Sequence, residues 1–322
     1  MNEIRCTINM NNKVIAIVGP TAVGKTALSI KLAKQFNGEI INGDSMQVYK
    51  GMDIGTAKIT KEETEGISHH LIDILEPTDA YSAADFKRLC LEQIEDIQNR
   101  NKLPIIVGGS GLYIQSVLYG YGFPETKRNE QKTKELEQLL QEKGNQYLYE
   151  QLKMFDPEQA KEIHPNNTRR VIRALEIYES TGKTKSQYLE EQKQQPTNSF
   201  DAFIIGLEMD REQLYQRINQ RVDMMLANGL LDEISALLAK GVSQNDAAFK
   251  AIGYKELLSF LQQDIDFDEA IFLLKRNSRR FAKRQYTWFK NKMNVHWFDV
   301  SKNPKNFQQE ILHQTAGFLQ DI

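Results

Sequence analysis

Residues 14–26, VIAIVGPTAVGKT, constrain this chain more than any other stretch. Five apolar residues, Val14 to Val18, run into Gly19, and the spacing Gly19-x4-Gly24-Lys25-Thr26 leads into a helical pattern, giving strand, phosphate loop and helix. The glycines let backbone N–H groups converge on phosphate oxygens, Lys25 adds a point charge, and Thr26 offers its hydroxyl to Mg²⁺. The segment Gly19, Pro20, Thr21, Ala22, Val23, Gly24, Lys25 and Thr26 therefore reads as a site for a diphosphate or triphosphate. Whether that phosphate is transferred, hydrolysed or discarded is left open by the motif.

Beyond the loop, Leu28, Leu32 and Phe36 recur at helical spacing, and the pattern places the end of that helix at Gly38. Ile40 and Ile41 then run into Asn42-Gly43-Asp44-Ser45, a second strand ending in a polar loop. Residues 46–80 look irregular, with HHLIDIL as a candidate third strand. Ser82 and Asp85 mark the start of a helix whose apolar positions are Phe86, Leu89, Cys90, Ile94 and Ile97. Leu103 to Val107 reads as a further strand, ending in Gly108-Gly109-Ser110-Gly111. This alternation predicts an α/β fold, a P-loop-type parallel sheet flanked by helices. From 121 to 198 strand signals fade into a Glu/Lys/Gln-rich stretch, which we read as a helical insertion domain. Residues 1–120 and 199–322 then form the core, with strands at Phe203 to Leu207 and Val295 to Val300.

Composition excludes some classes. Hydrophobic residues make up 40% and charged residues 26% of 322, and no apolar run approaches the ~18 residues of a membrane span. The first twelve residues carry an acid and lack the apolar core of a signal peptide, so a cytoplasmic protein is expected. Cys6 and Cys90 lie far apart, against a disulfide framework or a cysteine zinc site. The net charge of −2 gives no global nucleic-acid footprint. Locally the balance differs: RNSRRFAKRQYTWFKNK, Arg276 to Lys292, carries Arg280, Lys283, Arg284 and four further cations with no acid, and Tyr286, Trp288 and Phe289 interleave.

Several constellations can carry chemistry. An NTP-hydrolysing protein or kinase usually shows a later strand ending in Asp for Mg²⁺; here LPIIV ends in Gly-Gly-Ser. Asp44, at the strand end after the phosphate loop, is placed either for a metal or as a general base, and an Asn-Gly-Asp-Ser string is also an ordinary turn. Gly108 to Gly111 suits a second anion nest or a close backbone approach. His69-His70 offers metal or phosphate ligands, although adjacent histidines diverge on any regular element. Arg169, Arg170 and Arg173 repel one another unless acids or phosphates pair with them. Beside the basic run, they point toward a polyanion, with aromatics available to stack on unpaired RNA bases. Arg217 and Arg221, at i and i+4, are candidates to close over the diphosphate.

The strings GPTAVGKT, INGDSMQVYKGMDIGTAK, HHLID, GGSGLYI, NNTRRVIRALEIY, RVDMML, KAIGYKE and AKRQYTWF occur in that order. Together they resemble the bacterial tRNA dimethylallyltransferases, which attach an isopentenyl group to an adenosine beside the anticodon, and the resemblance spans residues 14–298. It implies that the loop holds dimethylallyl diphosphate and transfers no phosphoryl group. N6 of adenosine 37 attacks C1, Asp44 takes the proton, and diphosphate leaves, neutralised by Thr21, Lys25, Mg²⁺ near Thr26, and Arg217 or Arg221. It also implies that Asp44, Ser45, Met46 and Gln47 line the base pocket and that Ser110 faces the reaction channel. Arg169, Arg170, Val171, Ile172 and Arg173, with Lys250, Gly253, Tyr254 and Lys255, then touch the tRNA anticodon stem-loop. On charge grounds Arg280, Lys283 and Arg284 are assigned to RNA or diphosphate. The expected partners are tRNA and dimethylallyl diphosphate, with no membrane, and a monomer is the default. The alternatives are a small-molecule kinase using ATP at the same loop, and a non-catalytic RNA-binding protein whose loop senses nucleotide.

Overall fold

Strand β1 (Lys13–Val18) is buried along its whole length because both faces are covered. Ile15 and Ile17 pack on one side with Leu28 and Leu32 of helix α1 (Lys25–Gln35). Val14, Ala16 and Val18 pack on the other with Phe86, Cys90, Ile94 and Ile97 of α2 (Ala83–Asn99). Side chains alternate faces along a strand, so a continuous apolar run is what a doubly covered parallel strand requires. The structure is a computed structural model that describes residues 12–122, 129–194, 200–302 and 306–320.

The remaining strands are β2 (Gly38–Asn42), β3 (His69–His70), β4 (Leu103–Gly108), β5 (Asp201–Glu208) and β6 (His296–Asp299). They form one sheet in the order β3-β2-β4-β1-β5-β6, and every pairing is parallel. After β2 and β3, strand β4 returns to insert between β2 and β1, and β5 and β6 then extend the sheet on the other side of β1. Their carboxyl ends, where such sheets bind ligands, include the turns after β1, β2 and β4.

Two local expectations change. The helix does not close on Gly38: α1 stops at Gln35, Asn37 takes the left-handed conformation at φ 50°, and Gly38 opens β2. A Cβ at Gly38 would lie 2.7 Å from the Ile105 side chain, so its smallness serves strand packing. HHLIDIL forms only a two-residue strand, because Leu71 and Asp73 turn left-handed at φ 60° and 54°. The helix start at Ser82 is a full capping box with Asp85.

After β4 come α3 (Gly111–Leu118) and, beyond β5, α8 (Arg211–Ala227), α9 (Leu230–Ala239), α10 (Tyr254–Leu261), α11 (Phe267–Lys292) and α12 (Phe307–Gln320), with α4 to α7 intervening. Helices α8 to α11 enclose a separate apolar cluster that takes in Val48, Tyr49 and Met52 from the loop after β2. The chain divides into two compact units, Met1–Leu118 with Phe200–Ile322, and Tyr119–Ser199. The second unit contains α4 (Glu130–Phe155), α5 (Pro157–Glu162), α6 (Thr168–Thr181) and α7 (Lys185–Gln194) around its own core of Leu136, Leu148, Leu152, Val171 and Leu175. Among the described residues no helix is long and apolar enough to cross a membrane.

Candidate functional site

The phosphate loop uses left-handed backbone at Ala22 (φ 65°) and Gly24 (φ 106°), which turns successive N–H groups inward. Lys25 folds back over the loop, donating to the Gly19 carbonyl at 3.0 Å and the Pro20 carbonyl at 2.8 Å. Burial, followed by the neighbouring Arg221 guanidinium, lowers its ammonium pKa to about 7 against a partial opposing pull from Asp44. Lys25 and Arg221 thus stand on the wall of one cavity.

That site is a cavity of about 290 Å³, walled by Thr21, Lys25 and Thr26 from the loop, Asn42, Asp44 and Gln47 after β2, Gly108 and Gly109 after β4, and Arg221, Phe281 and Gln285 from α8 and α11. A second cavity of about 350 Å³ shares Thr21, Asp44, Arg221 and Phe281 with it. Its remaining wall is more apolar, with Met46, Ile218, Val222, Met225 and Leu274, and Ser45, Lys250, Gly253 and Arg284 also border it.

Asp44 is held by its own turn. Its N–H donates to the Asn42 side chain at 3.1 Å, Oδ1 accepts the Met46 N–H at 2.8 Å, and the Ser110 hydroxyl oxygen accepts the Ser45 N–H at 3.1 Å. The Asn-Gly-Asp-Ser string is therefore a turn, and the turn aims the carboxylate at both cavities. Gly108 packs flat on Gly43, where a Cβ would meet the Gly43 carbonyl oxygen at 2.2 Å. Of the two readings of Gly108 to Gly111, this is a close backbone approach.

A family model described as IPP transferase matches residues 47–292. The chain belongs to the IPP transferase family. The tRNA dimethylallyltransferase of Oceanobacillus iheyensis is 52% identical over 313 residues, covering 97% of this chain and 99% of that one. The crystal structure of the full-length tRNA isopentenylpyrophosphate transferase of Bacillus halodurans superposes with a TM-score of 0.71 at 48% identity, over 96% of this chain and 97% of that one. A eukaryotic dimethylallyltransferase, described as acting on tRNA, gives a TM-score of 0.82 at 36% identity, over 95% of this chain and 79% of its own.

Within this IPP transferase the structure sorts the expected residues. Arg221 lines both cavities, whereas Arg217, one turn earlier on α8, is exposed and lines neither. Burial lowers the Arg221 pKa, and Asp44 and Glu63 partly restore it. Ser45 and Met46 border the second cavity, but Gln47 borders the first, its amide tied to the Thr56 carbonyl at 3.1 Å. Ser110 lines neither cavity and supports the Asp44 turn.

Tyr254 is fully buried and donates to Glu233 at 2.6 Å. Gly253 is buried too, while Lys250 and Lys255 are exposed. In the other unit, Arg169 and Arg170 are exposed, but Val171 and Ile172 belong to the core and Arg173 pairs with Glu176 at 2.7 Å. Arg280, Lys283 and Arg284 are exposed on α11. Three of its aromatics serve packing: Phe289 is buried, Trp288 presses on Gly111, and Tyr286 donates to Glu208. His70 contacts Glu39 at 2.7 Å and His69 the Ile67 carbonyl at 2.9 Å, both structural roles. Cys90 is buried, and burial pushes its thiol pKa up, leaving it inert.

Two residues escape a reading of the sequence. Glu233 accepts the N–H groups of Asp53, Ile54 and Gly55 at 2.7, 2.7 and 3.0 Å and so shapes the GMDIG turn. Gln285 bridges the Thr21 N–H and the Gly109 carbonyl. Gln285 lies within the AKRQYTWF string without any signal of this role, and Glu233 lies in none of the strings.

Proposed function

We propose that this chain transfers the dimethylallyl group of dimethylallyl diphosphate to N6 of adenosine 37, next to the tRNA anticodon, and releases diphosphate. The observation that supports it best is the pair of adjoining cavities sharing Asp44, Thr21 and Arg221. One is built for an anion and the other has apolar walls, with a carboxylate at their junction.

The exocyclic amine is a weak nucleophile because its lone pair is conjugated with the purine. As N6 attacks C1, the C1–O bond breaks and its electron pair moves to the bridging oxygen, while the N6 proton passes to the Asp44 carboxylate. A positioned base of this kind contributes roughly 10²–10⁴ in rate. Lys25, the loop N–H groups, Thr21 and Arg221 neutralise the charge that accumulates on the departing diphosphate. Arg217 is left to the protein surface.

Among the described residues no three His, Cys, Asp or Glu side chains come together as a metal cage. Mg²⁺ needs none here: it favours one or two protein oxygens plus substrate phosphates, which suits the Thr26 hydroxyl on the cavity wall. When bound, it supplies charge neutralisation on the diphosphate.

An adenosine stacked in the anticodon loop cannot reach the cavity, so it is flipped out, at a cost of a few kcal/mol at most in a single-stranded loop. Arg169, Arg170, Lys250, Lys255, Arg280, Lys283 and Arg284 are exposed cations suited to tRNA phosphates, and such binding falls steeply with salt. The protein works in the cytoplasm, as a monomer. The test is to incubate it with Mg²⁺, labelled dimethylallyl diphosphate and either unmodified tRNA or AMP, with ATP as a competing ligand. Label on tRNA is expected; label on AMP alone contradicts the reading.

A further inference from the structure

Gln285 lies on α11 between cations assigned to RNA, yet its side chain turns inward and is 5% exposed. Its amide spans two glycine-rich loops. Oε1 accepts the Thr21 N–H at 2.9 Å, and Nε2 donates to the Gly109 carbonyl at 3.2 Å. Room for it exists only because residue 109 lacks a side chain, since a Cβ there would lie 2.0 Å from Nε2. From Gly109 the chain continues to Ser110, whose hydroxyl oxygen takes the Ser45 N–H beside Asp44. A short line of direct contacts therefore joins the phosphate loop to the turn that aims the carboxylate.

We propose that Gln285 is a positioning residue for group transfer, setting Thr21 of the phosphate loop at a fixed place relative to the Asp44 turn; this rests on the prenyl-transfer reading. Phosphate loops ordinarily turn their N–H groups on the ligand. Here the Thr21 N–H is held by protein, which fixes the Thr21 peptide at the junction of the two cavities. The task needs an acceptor and a donor on one planar group, which an amide provides. A carboxylate at this position satisfies Thr21, loses the bond to Gly109, and sets a negative charge beside the diphosphate. Methionine fills the space and makes neither bond.

The full chain is compared with Gln285→Met and Gln285→Glu. The measurements are single-turnover transfer from dimethylallyl diphosphate to tRNA between pH 6 and 8.5, tRNA affinity, affinity for inorganic diphosphate, and melting temperature. Gln285→Met should lose about 10²-fold in single-turnover rate, as displacement of a reacting group by about 1 Å does, with tRNA affinity nearly unchanged. Gln285→Glu should lose as much at pH 8 and regain activity relative to the unaltered chain as pH falls toward 6, because burial at this 5%-exposed position raises a carboxyl's pKa and its protonated form recovers the donor. A Gln285→Met variant that reacts at the unaltered rate, or a Gln285→Glu variant whose activity relative to the unaltered chain ignores pH, overturns the proposal. Should Gln285→Met fail to fold, the pH profile of Gln285→Glu decides alone. If the unaltered chain itself modifies no tRNA, the prenyl-transfer reading fails; inorganic diphosphate binding then decides, weakening about tenfold in Gln285→Glu at pH 8 if the carboxylate lies beside the anion, and unchanged if the proposal is wrong.

Discussion

The Met46 N–H donates to Oδ1 of Asp44 at 2.8 Å, which fixes the carboxylate within its turn and leaves Oδ2 to take a proton. Asp44→Asn keeps an acceptor for Met46 and removes the basic oxygen. Turnover should fall by about 10²–10⁴ while tRNA affinity stays within a few-fold. Single-turnover kinetics paired with filter binding checks this; normal turnover would make Asp44 a turn residue only.

Arg221 and Arg217 offer a controlled comparison on one helix. Arg221 lines both cavities, and Arg217 is exposed. Removing a charge-assisted contact worth about 1.5–3 kcal/mol predicts that Arg221→Ala weakens diphosphate binding roughly 10- to 150-fold. Arg217→Ala should leave it nearly unchanged, as titration calorimetry with inorganic diphosphate would report. Equal losses in both variants would contradict the placement.

The Lys25 ammonium, lowered to about 7 mainly by burial, gains an anionic partner when diphosphate binds, so its pKa should rise. At pH 8 Lys25 is mostly neutral before binding and charged after it, and binding should take up roughly one proton at this group. Calorimetry in buffers of different ionisation enthalpy measures the uptake, and Lys25→Met should abolish that part of it. The stability sign follows from the same shift. Between about 7 and the unfolded value of 10.5, the unfolded chain binds the extra proton, so this group makes stability rise with pH across that window.

Far from the site, the buried Glu39 carboxylate takes Arg100 at 2.5 and 2.8 Å, Lys102 at 2.7 Å and His70 at 2.7 Å. These partners, Arg100 first, hold its pKa well below the usual carboxylate range despite opposing desolvation. The stability it contributes is present above the unfolded pKa of a glutamate and lost as pH falls through the folded one. Glu39→Gln should cost roughly 2 kcal/mol at pH 7, below the cost of breaking a fully buried pair because Arg100 and Lys102 are about a third open to solvent. Urea unfolding would show it, and an unchanged midpoint would dismiss the cluster as ornamental.

What was legible in the sequence is what local geometry dictates. The glycine spacing of the phosphate loop, the apolar strand before it and the polar end of β2 each depend on neighbours within a few residues, so the loop and Asp44 could be paired from letters alone. Gln285 and Glu233 could not be, because each acts on backbone from a segment more than 170 residues away. HHLIDIL reads as a strand by composition, yet Leu71 and Asp73 turn left-handed. Tyr254, Val171 and Ile172 lie in the KAIGYKE and NNTRRVIRAL strings, but burial commits their side chains to structure.

On the proposed reading, the phosphate loop holds a leaving group. Dimethylallyl diphosphate carrying ¹⁸O at the bridging oxygen tests it, with the isotope followed by mass spectrometry after reaction with tRNA. All bridging ¹⁸O should depart in diphosphate, because the C1–O bond breaks, while the tRNA gains a dimethylallyl group without the isotope. Isotope recovered in dimethylallyl alcohol or its monophosphate, with phosphate passed to another acceptor, would mean that a P–O bond breaks and would contradict it.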